Sequence, residues 1–269
     1  MKHTEHIAIT QQLIESVYLQ RTVTIDIYVP TNIEDPSQLS LLLLNDGQDL
    51  PEMNFTAIVD SLLATHQIQP LICVGIYAGT DRRQEYGTAH ILDYEGRGTK
   101  AAAYQQFIVQ ELLPYIHITY CVEKFQSIAI AGFSMGGLSA LDMLWNHPDI
   151  FSIAGVFSGS LWWRTKSLDD NYNDDTDRIM HQQIRKGIYH PGLRFYFTTG
   201  SLDETADRNK NGIIDSIDDT LDVIEELKKK GYCIGYDIKY INYEEGRHDV
   251  ATWAIAMPQF LLWLNASNP

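Results

Sequence analysis

Gly132-Phe133-Ser134-Met135-Gly136-Gly137 follows the run Ser127-Ile-Ala-Ile-Ala131 and precedes a helical pattern over residues 138–145. A buried strand, a tight Gly-x-Ser-x-Gly turn and then a helix make a nucleophile elbow, which holds a serine at a sharp corner with its hydroxyl exposed. Glycines flank that serine because side chains there would collide with the adjoining strand and helix. Ser134 is thus the candidate nucleophile, and a parallel strand–helix unit is the expected local fold.

Outward from the elbow, continuous apolar runs alternate with helical periods. Strands are expected at 39–45, 71–77, 127–132, 151–158, 193–199 and 235–242, with helices at 55–65, 101–116, 135–147 and 215–230 and around 250–264. Before them, residues 5–30 alternate as two strands, the second ending at Pro30, which suits an antiparallel edge. Buried strands interleaved with helices imply an α/β domain with a mainly parallel sheet of about eight strands, covered on both faces. No linker, repeat or low-complexity block divides the chain, so residues 1–269 read as one domain. Insertions interrupt its rhythm at 78–98 and 161–190.

An alkyl hydroxyl needs a neighbouring base, and that base an orienting acid. The strand at 193–199 runs into Gly200-Ser-Leu-Asp203-Glu204, which offers a carboxylate just past the strand's end: Asp203, or Glu204 as the alternative. The last strand leads into Glu244-Glu-Gly-Arg-His248, so His248 is the candidate general base among nine histidines. His66 and His147, near helix ends, read as surface or capping groups. For an oxyanion hole, backbone N–H groups must point at the developing charge. Met135, after the nucleophile, and Gln48, in the loop Asn45-Asp-Gly-Gln-Asp49, are nominated. Trp162, Trp163 and Tyr77 are candidates for lining a substrate pocket. A second elbow-like pattern, Gly231-Tyr-Cys233-Ile-Gly235, lies after a helix and before a strand, the reverse order, with Gly231 reading as a helix-ending glycine.

The net charge of −15 argues against nucleic acid and anionic membranes as partners. No stretch approaches the roughly 18 apolar residues of a spanning helix, and the N-terminus lacks an apolar signal-peptide core. A cytoplasmic address and a small-molecule substrate are expected, with no organic cofactor. Cys73, Cys121 and Cys233 are odd in number and lack metal or redox spacing, so free buried thiols are expected.

Together these residues resemble the Putative esterase family of α/β-hydrolases, which includes enterochelin esterases, feruloyl esterases, S-formylglutathione hydrolase and mycolyltransferases. Nearly the whole chain carries the resemblance. It rests on Tyr18-Leu-Gln-Arg-Thr-Val-Thr and Tyr28-Val-Pro30, Asn45-Asp-Gly-Gln48, Arg97-Gly98, and Phe107 through Pro114. The elbow, His147-Pro148, Ser158-Gly-Ser-Leu-Trp-Trp163 and His248 before Trp253 complete it. The segment at 158–163 looks most like the siderophore-esterase branch. The resemblance implies the α/β-hydrolase fold and serine ester hydrolysis by Ser134, Asp203 and His248. It does not imply one particular ester. Acyl transfer by the same triad, or a non-catalytic calcium-dependent binding module, are the alternatives.

Residues 207–218 read separately, as a twelve-residue calcium loop. Asp207, Asn209, Asn211, Asp215 and Asp218 put side-chain oxygens at positions 1, 3, 5, 9 and 12, Gly212 occupies position 6, and Ile213 offers its carbonyl at 7. Asp218 stands where glutamate usually coordinates through both oxygens. A structural Ca²⁺ beside the acid loop is therefore expected. The aspartates at 169–177 lack glycine and ordered spacing, and read as a solvated loop, with a second cation site or a lid as the alternative.

Overall fold

Four consecutive leucines explain why the sheet is buried on both sides. Successive strand residues point to opposite faces, so Leu41 and Leu43 enter one core and Leu42 and Leu44 the other. The neighbouring strand repeats the division, with Ile72, Val74 and Ile76 on the first face and Leu71 and Cys73 on the second. The structure is a computed structural model that describes residues 2–33 and 35–266.

Its strands are β1 (Lys2–His3), β2 (Ile7–Ser16), β3 (Arg21–Pro30), β4 (Ser40–Asn45), β5 (Leu71–Ile76), β6 (Ile128–Phe133), β7 (Ile153–Phe157), β8 (Arg194–Leu202) and β9 (Ile238–Arg247). They form one sheet in the order β1-β2-β3-β5-β4-β6-β7-β8-β9. From β5 to β9 every pairing is parallel, whereas β1, β2 and β3 extend the sheet antiparallel. This is the expected α/β-hydrolase architecture. The two-residue β1 raises the strand number to nine.

The helices are α1 (Phe55–Ala64), α2 (Arg82–Glu85), α3 (Ala101–Gln106), α4 (Leu113–Thr119), α5 (Met135–Asn146), α6 (Asp174–Asp177), α7 (Ile179–Lys186), α8 (Asp215–Lys230) and α9 (Val250–Asn265). Helices α1 and α9 cover one face of the sheet; α3, α4, α5, α7 and α8 cover the other. The single helix expected at 101–116 is interrupted by a π-helical segment, Phe107–Leu112. Pro114 has no N–H to give to the turn before it, which favours a local widening there. Among the described residues no helix is long and apolar enough to cross a membrane.

Both insertions are anchored to α5 by one buried carboxylate. Asp142 accepts from the Ala89 amide at 2.8 Å, from Gln105 Nε2 at 2.7 Å and from Gln183 Nε2 at 2.9 Å. Its complete burial raises its pKa, and these bonds oppose that shift. The cysteines depart from expectation in one respect. All three are free, but only Cys73 is buried, while Cys121 and Cys233 are exposed, each shortly after a helix. Gly231 ends α8 in the left-handed region at φ 116°, so the second elbow-like pattern is a helix cap.

Candidate active site

The elbow forms where β6 meets α5. Ser134 has φ 54° and ψ −122°, a conformation that costs an L-residue energy and persists only when its surroundings impose it. Those surroundings are tight. A Cβ on Gly132 would lie 2.5 Å from the Gly136 carbonyl, and one on Gly136 would lie 2.8 Å from Asp46 Oδ2. The Ser134 amide donates to Phe157 O at 2.9 Å, which ties the corner to β7. The side chain is half-buried, and its Oγ lies 3.3 Å from Ser160 Oγ.

The loop after β4 approaches the elbow from one side. Gly47 packs so closely on β5 that a Cβ would sit 2.3 Å from the Gly75 carbonyl carbon. Asp46 takes φ 59° and its amide donates to Tyr86 Oη at 3.0 Å. The Asn45 side chain donates to Gly136 O at 2.8 Å, binding this loop to the first turn of α5. The Gln48 side chain is engaged, with Oε1 accepting from Ala78 N at 3.0 Å. The backbone N–H groups of Gln48 and Met135 find no acceptor among the described residues, as expected of amides at the starts of helical turns.

The ends of β8 and β9 bring Asp203 and His248 to the same sheet edge. Asp203 Oδ2 accepts from Gly200 N at 2.9 Å, while Oδ1 is buried with no partner. A Cβ on Gly200 would meet both Asp203 Oδ1 and the Gly246 carbonyl, so the carboxylate abuts the strand end two residues before His248. Glu204 turns elsewhere: its Oε1 accepts from Ser216 N at 2.6 Å in the first turn of α8.

Trp253 connects His248 to the elbow. Its ring stacks on Phe133 at 4.9 Å and meets the His248 ring edge-on at 5.3 Å, and its Nε1 donates to Ser158 Oγ at 3.3 Å. No hydrogen bond joins His248 to Ser134 or Asp203 among the described residues. His248 is exposed by area, but desolvation on its packed side is the largest influence on its pKa and lowers it from the usual 6.5. Asp203 and Asp249 pull it upward, and Arg82 pushes it down.

The three aromatic candidates separate. Trp163 is fully buried, its ring packed against Gly87 and Gly98, so it is a core side chain and does not line a pocket. Trp162 is half-buried, with the Arg97 guanidinium over its ring at 4.9 Å. Tyr77 lines a cavity of about 530 Å³ with Gln11, Asp26, Tyr28, Pro51 and Thr56, and Ser134 is not among its lining residues. The Tyr77 hydroxyl donates to Asp26 at 2.8 Å; burial and that carboxylate push its pKa up to about 12. Two residues beside the site were not nominated from sequence, Ser160 and Arg82. Ser160 could have been found, because it follows the carboxyl end of β7 on the same edge as Ser134.

In the 207–218 loop, three side chains meet, and a fourth is held by the backbone beside them. Asp207 accepts from the amides of Asn211 and Gly212, and Asp218 Oδ2 accepts from Asn209 Nδ2 at 2.9 Å and Asn211 Nδ2 at 2.8 Å. Asp215 does not join them. It is buried at the start of α8 and is taken by Arg208, through the amide at 2.9 Å and the guanidinium at 3.3 Å. Among the described residues no three His, Cys, Asp or Glu side chains gather as a metal site; here one carboxylate, Asp218, faces two side-chain amides. The acidic run is not simply solvated either. Asp174 pairs with Arg208 and Arg178, and Asp177 with Lys166.

The Putative esterase family model matches residues 16–264 of this chain. Iron(III) salmochelin esterase of Escherichia coli is 23% identical over 255 residues, which cover 92% of this chain and 56% of that protein. The uncharacterized protein YjcH of Bacillus subtilis is 22% identical over 198 residues, 71% of this chain and 77% of its own. Among solved structures, a ferulic acid esterase superposes with a TM-score of 0.71 at 18% identity, covering 97% of this chain and 98% of its own. The enterobactin esterase of Shigella flexneri with enterobactin gives 0.73 at 21%, covering 96% and 58%. The chain thus spans little more than half the length of the salmochelin and enterobactin esterases it matches.

Proposed function

This chain belongs to the Putative esterase family, and from that premise we propose that it hydrolyses carboxylic esters through an acyl-enzyme on Ser134. His248 accepts the Ser134 proton as Oγ attacks the ester carbonyl. The Gln48 and Met135 amides hold the oxyanion. Collapse of the tetrahedral intermediate expels the alcohol, which takes its proton from His248, and His248 then activates the water that releases the acid. Asp203 orients the imidazole through Oδ1, the buried carboxylate atom with no other partner.

The observation that carries this reading is the strained corner at Ser134, linked to His248 through Phe133 and Trp253. The substrate class we propose is a siderophore or feruloyl/acetyl ester, supported by the segment at 158–163 and by the names of the relatives. A screen across those ester types, with and without an added alcohol acceptor, tests it and separates hydrolysis from acyl transfer. Failure to cleave any of them would contradict the assignment.

The pH dependence follows from the base. Imidazole must be neutral to take the serine proton, so kcat/KM falls as acid protonates it. Because the His248 pKa is lowered, the acidic limb is expected to have its midpoint below pH 6.5. A midpoint above pH 7 would contradict this.

We also propose a Ca²⁺ held by Asp207, Asn209, Asn211, the Ile213 carbonyl and Asp218. The meeting of Asn209 and Asn211 on Asp218 supports it, with Asp207 turned back onto the same loop's amides, and Asp215 is left out because Arg208 occupies it. The ion would neutralise the loop and brace the segment between Asp203 and α8. Filling a site a hundredfold above its Kd adds about 2.7 kcal/mol, and 1 kcal/mol moves the Tm of a chain this size by about 2 °C. Excess EGTA is therefore expected to lower Tm by roughly 5 °C, with restoration by Ca²⁺. An unchanged Tm would refute the site.

A further inference from the structure

Asp46 lies over the elbow in the left-handed region and is almost wholly buried, a costly place for a carboxylate without a cation. Arg82, in α2 at the start of the 78–98 insertion, supplies it. Its Nε donates to Asp46 Oδ1 and its Nη2 to Oδ2, both at 2.7 Å, a two-pronged arrangement that only a guanidinium provides. The guanidinium also lies over the Tyr86 ring at 5.0 Å, and Tyr86 Oη accepts from the Asp46 amide. Asp46 Oδ1 accepts from Gln48 Nε2 at 3.3 Å, which continues the network to the loop bearing the proposed oxyanion amide. On its other side the Asp46 carboxylate touches Gly136, two residues after Ser134.

We propose that Arg82 is a positioning residue of the hydrolytic site: clamped to Asp46 beside the elbow, it sets the geometry of the oxyanion loop and holds a fixed positive charge beside that loop. The proposal rests on the hydrolase reading. Four influences act on His248: burial against Trp253, the carboxylates of Asp203 at the end of β8 and Asp249 at the start of α9, and the Arg82 guanidinium. Removing the guanidinium charge relieves repulsion of the imidazolium, so the imidazole pKa rises and the acid limb moves to higher pH. Lysine at position 82 keeps the charge but cannot form both bonds to Asp46. The two parts of the role can therefore be separated.

A fluorophosphonate probe needs no knowledge of the natural ester and reports both the base and the oxyanion hole. Its second-order rate of reaction with the full chain would be measured from pH 5 to 9 for wild type, Arg82→Gln and Arg82→Lys, together with Tm. Arg82→Gln is expected to label roughly 10- to 100-fold more slowly, with its acid limb moved to higher pH. Arg82→Lys is expected to label slowly with its acid limb at the wild-type position. The role of Arg82 is overturned if Arg82→Gln labels at the wild-type rate, or if its acid limb does not move. Wild type that resists the probe altogether would instead overturn the hydrolase reading, so the two failures are distinguishable. If Arg82→Gln does not fold, Arg82→Lys decides alone, and a wild-type labelling rate in it overturns the clamp.

Discussion

Ser134→Ala is expected to reduce turnover of p-nitrophenyl esters by at least about 10⁴-fold, with Tm essentially unchanged. The loss follows from the chemistry. Without Oγ the proposed acyl-enzyme cannot form, and the proposed oxyanion donors can assist only direct attack by water. The small effect on stability follows from the surroundings. Among the described residues the hydroxyl has one hydrogen-bond partner, Ser160 Oγ at 3.3 Å, and alanine occupies the same backbone corner that the glycines around it already impose. Turnover surviving in this variant would place the nucleophile elsewhere, with Ser160 the next candidate on the same rim.

Asp203→Asn is the second large effect, with an expected fall in kcat of about 10⁴. An amide at that position cannot stabilise the imidazolium and favours the wrong tautomer of His248. Glu204→Ala is its control. Glu204 caps the start of α8 through Ser216 N, so its removal is expected to cost about 1 kcal/mol of stability while kcat stays within a few-fold. Paired kinetics and melting curves of the two variants check both statements. A collapse of kcat in Glu204→Ala with a mild effect in Asp203→Asn would exchange the roles.

The alternation of apolar runs with helical periods made the sheet readable, because β4 and β5 are buried on both faces and leave no polar alternation. The elbow was equally legible, since the glycines that permit it are local in sequence. Bonds between distant elements were not. Nothing in periodicity marks Arg82 as the partner of Asp46, thirty-six residues apart, or draws Asp215 away from its loop toward Arg208. Trp163 misled for a related reason: next to Trp162 it has the composition of a pocket wall, yet the two glycines facing it, Gly87 and Gly98, come from an insertion whose path has no sequence period. Strand ends were also shifted. β8 runs on to Leu202 and β9 to Arg247, because the two continue to pair past a register shift between Gly200 and Leu202. That extension carries Asp203 and His248 to neighbouring positions on the rim.

Intact-mass analysis after fluorophosphonate treatment, followed by peptide mapping, tests the proposed nucleophile most directly. A single adduct on the peptide containing Ser134, absent from Ser134→Ala, is the predicted result. An unmodified protein, or an adduct that persists in the alanine variant, would contradict it.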